Sequence, residues 1–273
     1  KNNLIFKAGI SIQANIYENA KFYVFPDLEV SCNLFNNIFI PYGGWVGKVQ
    51  RNTFNNLRLE NPFISEDSKL QNTIQKSNIF AGLRGSLSSK FTFNLSSSFQ
   101  KLDSIYFFIP DTTSSYGNKF QTKYDNLSQT TFLAEITYQE LEKLKISAKG
   151  EYFIYSPVNL SSAWQRPDFI FTLSSLLDLS DKIVLKSDFY LVGKREVYSY
   201  SLPESIINFV ILDNKYVYSL PTFVDMNISA EYRYNKKVSA FIQFNNFTAK
   251  KYQSWQNFPV QSINILGDIT LSF

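Results

Sequence analysis

The sequence contains no histidine, and this removes the usual general base, the Ser-His and Cys-His nucleophile pairs and the commonest zinc ligand. Its one cysteine, Cys32, excludes an intramolecular disulfide and reads as a small apolar filler rather than a reactive thiol. No stretch approaches the roughly 18 consecutive apolar residues of a membrane-spanning helix. The opening Lys1, Asn2 and Asn3 lead into an alternating segment instead of a signal-peptide core, so the chain is expected to be mature, processed or truncated. Charge of neither sign dominates: 27 Lys and Arg against 23 Asp and Glu leave a scattered +4. That is not the concentrated footprint of a nucleic-acid binder, so no nucleic-acid partner is expected. Gly and Pro, at 10 and 9 residues, are too few for a collagen-like or low-complexity chain.

What is abundant is aromatic residues, 17% of the chain with 17 Tyr and 26 Phe, and period-2 alternation of apolar and polar residues, the mark of a two-faced strand. From Leu4 the even positions are Leu4, Phe6, Ala8, Ile10, Ile12, Ala14 and Ile16, against Lys7, Ser11, Gln13 and Asn15. The pattern returns in Phe22 to Leu34, Ile38 to Val49, Asn78 to Ser88, Lys90 to Phe108, Gln121 to Gln139 and Lys143 to Ser156. It continues in Pro167 to Leu179, Lys182 to Glu196, Thr222 to Tyr234, Lys237 to Thr248 and Val260 to Phe273. This predicts about twelve antiparallel strands, with Ile206 to Ser219 either a further strand or part of a loop. Many of the runs exceed the 5–6 residues typical of soluble strands and match the roughly 9–11 needed to cross a bilayer at a tilt.

Connection lengths sharpen the reading. Asn36-Asn37, Ser88-Ser89, Glu140-Leu141-Glu142, Ser180-Asp181 and Asn235-Lys236 are tight. They alternate with long connections near Arg51 to Ser77, Pro110 to Phe120, Pro157 to Arg166, Val197 to Pro221 and Ala249 to Pro259. Glu18 to Ala20 is the exception, a short connection at the long-loop end. Tight turns at one end and long loops at the other are the arrangement of outer-membrane barrels, and an even strand count puts both termini at the tight-turn end. The fold expected is an all-β antiparallel transmembrane barrel, in which every backbone group finds a partner. A soluble β-sandwich also alternates its faces, but predicts neither the strand lengths nor the loop asymmetry.

Sorting by parity gives the two surfaces. Phe91, Phe93 and Leu95; Phe132, Ala134, Ile136 and Tyr138; Leu144, Ile146, Ala148 and Tyr152; and Met226, Ile228, Ala230 and Tyr232 are expected to face lipid, with aromatics near the strand ends as girdles. Lys7, Asp27, Glu29, Arg84, Glu135, Lys145, Lys149, Glu151, Lys186, Asp188, Glu231, Arg233 and Asp268 fall on the other parity and are expected to line the lumen. An internal network of ion pairs is favoured for them over specific ligand contacts. Asp27 with Glu29, and Glu231 with Asp268 or Asp225, are the carboxylate pairs that invite a shared site. Asp103, Asp111 and Asp125 flank one long connection, but without calcium-loop spacing. No catalytic, cofactor or metal site is expected.

The last strand, Ser262 to Phe273, carries Ile263, Ile265, Ile269, Leu271 and Phe273 on one parity. Its ending, Ile269, Leu271 and Phe273, resembles the C-terminal signal by which outer-membrane barrels are inserted, which implies the barrel-assembly machinery as a partner. The preceding residues run Tyr234-Asn235-Lys236-Lys237-Val238-Ser239-Ala240-Phe241, then Asn245-Asn246-Phe247, Lys251-Tyr252-Gln253-Ser254-Trp255 and Phe258-Pro259. They resemble the end of TonB-dependent receptor barrels. Tyr42-Gly43-Gly44, Arg51-Asn52-Thr53-Phe54 and Glu60-Asn61-Pro62-Phe63 are similar to barrel segments of receptor-like proteins from Bacteroidetes. The resemblance implies the C-terminal barrel region of a family whose barrels have about 22 strands around a plug, with an energy-coupling segment before the plug. Neither plug nor coupling segment is readable here, and residues 1–273 are expected to form a single barrel domain, either the C-terminal portion of such a receptor or a smaller barrel whose last strands are similar.

Three functions follow as expectations for a bacterial outer-membrane protein. The first is solute uptake or passage, with polar and aromatic loop residues suited to a polar ligand such as a glycan. The second is a structural or partner-docking barrel without transport. The third, an outer-membrane enzyme, would need a Ser-Lys or carboxylate site in the absence of histidine and ranks last. Expected partners are outer-membrane lipid, the barrel-assembly machinery, and a plug, an energy-coupling protein or another envelope protein.

Overall fold

A computed structural model describes residues 3–16, 20–112, 115, 117–180, 182–199, 208–212, 215–235 and 237–272. Phe273 of the expected assembly signal lies outside the described residues. So do Glu18 and Asn19 of the first connection, Asp181 and Lys236 of two tight turns, and Ile206 of the ambiguous segment.

The strands are β1 (Asn3–Asn15), β2 (Lys21–Asn33), β3 (Ile40–Gln50), β4 (Thr73–Ser86), β5 (Phe91–Pro110), β6 (Phe120–Glu140), β7 (Leu144–Pro157), β8 (Phe169–Asp178) and β9 (Ile183–Val192), with helix α1 (Phe54–Glu60) between β3 and β4. Then come β10 (Arg195–Ser199), β11 (Val210–Leu212), β12 (Lys215–Leu220), β13 (Phe223–Asn235), β14 (Val238–Asn245), β15 (Gln253–Trp255), β16 (Phe258–Pro259) and β17 (Asn264–Leu271). Twelve of them form one antiparallel sheet in the order β1-β2-β3-β4-β5-β6-β7-β8-β9-β13-β14-β17. Where the ambiguous 206–219 segment is described, residues 210–212 and 215–219 are strand but not wall: β10, β12 and β11 make a separate three-stranded sheet in the loop between β9 and β13. The chain leaves the wall at Gly193-Lys194, so the run expected to extend from Lys182 to Glu196 is two strands.

Local chemistry sets the tight turns. Phe35, Asn36 and Asn37 adopt φ of 50°, 55° and 72°, and Asn33 Oδ1 accepts the Asn37 amide at 2.8 Å, so asparagine supplies both the left-handed backbone and its brace. Asn235 Oδ1 accepts the amides of Lys237 and Val238 at 2.8 and 2.9 Å. In the first long loop, Thr53 caps α1 by accepting the Asn56 amide.

Residues paired across an antiparallel ladder share a face, and the register carries two surfaces across the sheet without a break. One apolar row runs Leu83–Leu95–Ala134–Gly150–Phe171. On this face large side chains stand open, with Ile12 at 71%, Phe22 at 75% and Ile136 at 53% exposure. Water does not tolerate so continuous an apolar surface, far larger than the few hundred Å² typical of soluble monomers. Most of the buried core lies elsewhere, at the long-loop end.

Gly82 illustrates how tightly the other face is set. A Cβ there would sit 2.5 Å from the Tyr42 ring and 2.7 Å from the Leu95 carbonyl oxygen, while Tyr42 donates to Asn94 Oδ1 at 2.7 Å and lies under the Arg84 guanidinium. Gly82→Ala is expected to push Tyr42 off Asn94 and cost about 1–3 kcal/mol, read as a lower urea midpoint for unfolding from vesicles. An unchanged midpoint would mean that the ring has room to move.

Candidate functional site

Two features meet at the long-loop end: the polar face of the sheet and a packed cap of loops. The register places the charged residues singled out in the sequence on one face. Lys7 pairs with Glu29 and Gly9 with Asp27, Glu29 with Gly44, and Gly44 with Phe80, on the parity of Arg84. From Arg84 a single row passes through Asn94, Glu135, Lys149, Thr172 and Tyr190 to Asp225. Glu151, Lys186, Asp188, Glu231 and Arg233 share its parity, and Asp268 joins through Phe241, which pairs with Glu231.

The face is laced by local ion pairs. Lys7 Nζ lies 2.9 Å from Asp27 and 3.7 Å from Glu29, so these two carboxylates share a lysine. Lys149 pairs with Glu151 at 2.9 Å and Arg233 with Glu231 at 3.0 Å, and Ser174 donates to Asp188 at 2.6 Å. Glu231 and Asp268 are not brought together, because Phe241 stands between them in the ladder. Asp225 instead accepts the Tyr252 hydroxyl at 2.6 Å. Among the described residues no group of acidic, cysteine or histidine side chains is arranged to hold a metal ion. Asp125 is used structurally, accepting the backbone amides of Asn159 and Leu160 at 2.8 Å each.

The cap begins where β5 and β6 slip register between Leu102 and Ile105, at Ser104 with φ 53°. This bulge transfers Ile105 and Phe107 onto the face of Leu102 and Leu127. There they bury with Ala163, Trp164 and Tyr198 from the next two long loops. On the hairpin's other face, Phe108 and Phe120 bury with Leu57 of α1 and Ile64, and pack against Phe63, Trp255 and Phe258. The run Ile105-Tyr106-Phe107-Phe108-Ile109-Pro110 is therefore covered on both sides.

The hairpin of β15 and β16 latches the cap. Phe258 stacks on Phe63 at 3.7 Å, and Trp255 meets Phe108 edge-on at 5.1 Å. Gln256, 1% exposed, donates to the Tyr198 carbonyl at 2.8 Å and the Tyr218 hydroxyl at 3.1 Å. The Arg195 guanidinium donates to the carbonyls of Ser254 and Gln253 and lies 5.1 Å from the Phe223 ring centre. Burial lowers its pKa to about 10. Burial also pushes Tyr252 up, helped by its bond to Asp225. Thus the loop between β14 and β17 reaches the tops of β5 and β6, far along the sheet order, and the sheet must curl for it to do so.

Beside the cap, a polar cavity of about 350 Å³ opens between the end of β7, residues 161–168 and the start of β10. Its charged lining is Arg166, Asp168, Lys194 and Glu196, and none of these four was singled out as a site in the sequence. Two larger cavities, of about 730 and 690 Å³, share Leu83, Leu95, Ala134, Gly150 and Phe171, and so open on the apolar face.

No family model matches the sequence, and no curated protein matches it. Solved structures do. The ferripyoverdine receptor of the outer membrane of Pseudomonas aeruginosa superposes with a TM-score of 0.68 at 15% identity, over 99% of this chain and 36% of that one. The copper transporter OprC gives 0.60 at 12% identity, over 93% and 41%. The ferric-catecholate import receptor Fiu of E. coli K12 gives 0.60 at 12% identity, over 92% and 35%. The fold is that of a TonB-dependent receptor-like barrel, and the chain spans about two fifths of the length of these structures or less.

Proposed function

We propose that this chain forms wall and outer cap of a bacterial outer-membrane barrel for solute uptake, of the TonB-dependent receptor type and similar to those of Bacteroidetes. The carrying observation is that one twelve-stranded antiparallel sheet has a continuous apolar face and a continuous ion-paired face, with its packed cap confined to the long-loop end. The apolar face meets lipid, since one Lys or Arg there at midplane costs about 2–4 kcal/mol. The face of Lys7, Asp27, Glu29, Arg84, Glu135, Lys149, Glu151, Lys186, Asp188, Glu231, Arg233 and Asp268 lines the aqueous interior. The reading includes no catalytic step.

Within the described residues β1 and β17 are the two ends of the sheet. In lipid each unpaired backbone group costs several kcal/mol, so these edges pair with one another or with further strands. Ile269 and Leu271, 66% and 58% exposed on β17, are the described part of the proposed assembly signal. A plug or energy-coupling protein would meet the polar face.

The structures named above are of receptors and a transporter for iron chelates and copper, and only the class of process, uptake across the outer membrane, is carried over. The test is reconstitution of the whole chain in planar bilayers after checking for heat-modifiable migration on a gel. Discrete conductance steps are the expected result. A folded, inserted and silent protein would remove passage in favour of a partner-docking barrel.

A further inference from the structure

The cavity of about 350 Å³ beside the cap is at the small end of the range of roughly 300–1,000 Å³ for ligand sites, and it brings four charged side chains together. Arg166, Asp168, Lys194 and Glu196 line it, two of each sign, yet among the described residues none of them forms a salt bridge.

The positions are fixed by the surrounding backbone. Arg166 donates through Nη2 to the Tyr106 carbonyl at 3.1 Å and lies 5.2 Å from the Phe107 ring centre, which leaves other guanidinium N–H groups uncommitted. Asp168 is held against Gly193, where a Cβ would come within 2.0 Å of its Oδ1. That oxygen is buried with no hydrogen-bond partner. The Asp168 amide donates to the Lys194 carbonyl at 3.3 Å, so the acid and the lysine sit on adjoining segments. Lys194 and Glu196 are exposed.

Electrostatic matching then decides between ligand classes. An anion alone would confront Asp168 and Glu196. A cation alone would confront Arg166 and Lys194. A neutral sugar would offer none of the four charges a direct ionic partner. An occupant with one ammonium and one carboxylate group satisfies both signs at once, and the charge-assisted hydrogen bonds it makes are the strong kind. We propose that this cavity binds a small zwitterion of the amino-acid or dipeptide class, its carboxylate toward Arg166 and Lys194 and its ammonium group toward Asp168 and Glu196.

The inference goes beyond solute passage and is tested without it, by calorimetric titration of the purified whole chain in detergent at neutral pH. The probes are alanyl-alanine, its N-acetyl form, its C-terminal amide, and maltose. Alanyl-alanine is expected to bind, and capping either end to weaken binding by at least about tenfold. Lys194→Gln should weaken alanyl-alanine but not further weaken the amide, and Glu196→Gln should weaken it without further weakening the N-acetyl form. Both side chains are exposed, so neither change threatens folding. Maltose binding as well as the dipeptide, no dipeptide binding by folded protein, or indifference to both substitutions would each overturn the proposal. Dipeptide binding by a barrel that conducts nothing would keep this site while removing the transport reading.

Discussion

Replacing Trp255 with alanine will free the outer cap while leaving the wall intact. Trp255 lies edge-on to Phe108 and 5.7 Å from Phe120, on the same short hairpin that carries Phe258 onto Phe63 and Gln256 onto Tyr198. Truncating a half-buried tryptophan costs about 2–3 kcal/mol, somewhat less than a fully buried one. The loss falls on a unit held by contacts distant in sequence, whereas the wall is held by hairpins between neighbouring strands. Hydrogen exchange of the amides of residues 253–260 and 195–199 should accelerate by about 30- to 160-fold, because local opening sets exchange there. Amides at the centres of β6 and β7 should not change. Uniform acceleration throughout the sheet would show that cap and wall unfold together, and no acceleration anywhere would show that the hairpin is not the latch.

The wall was legible in the sequence because its physics is local. A strand with different solvents on its two faces must alternate, and the two-residue period of Phe132, Ala134 and Ile136 against Leu133, Glu135 and Thr137 survives into the ladder unchanged. The asparagine turn at Asn36-Asn37 was readable for the same reason, since a left-handed backbone favours that residue type. The cap was not legible, because its partners come together only when the sheet curls. Nothing near Trp255 in sequence names Phe108 or Phe120. One signal was present: Ile105-Tyr106-Phe107-Phe108-Ile109 breaks the alternation, and an unbroken apolar run is the mark of a strand covered on both sides. Read as the tail of an alternating strand, it hid both the bulge at Ser104 and the two clusters beyond it. The last strand ends shorter than its pattern suggested, with β17 starting at Asn264 rather than Val260, because residues just before it return from the latch. The charged cavity was invisible for a different reason. Arg166, Asp168, Lys194 and Glu196 lie in two connections, joined by the bridge between Pro167 and Arg195 and by backbone hydrogen bonds beside it.

The assignment of faces has a sharper test than any single site. Ala134 lies in the middle of the apolar row, between Leu95 and Gly150, while Thr131 pairs with Ser98 and Phe153 on the polar face of the same strand. Ala134→Arg would place a cation in hydrocarbon and is expected to make folding into lipid vesicles less favourable by about 2–4 kcal/mol. Thr131→Arg adds the same side chain on the opposite face, where water and the neighbouring acids receive it, and its expected cost is below about 1 kcal/mol. Both variants carry one extra positive charge on β6, so net charge cancels in the comparison, and the loss of a β-branched Thr rather than an Ala works against the expected order. Urea titrations of folding into vesicles read the difference directly. Equal costs would mean that both faces meet the same solvent, which would overturn the assignment of faces. The reverse order would turn the sheet inside out, placing Lys149 and Glu151 against lipid and the open aromatic face against water.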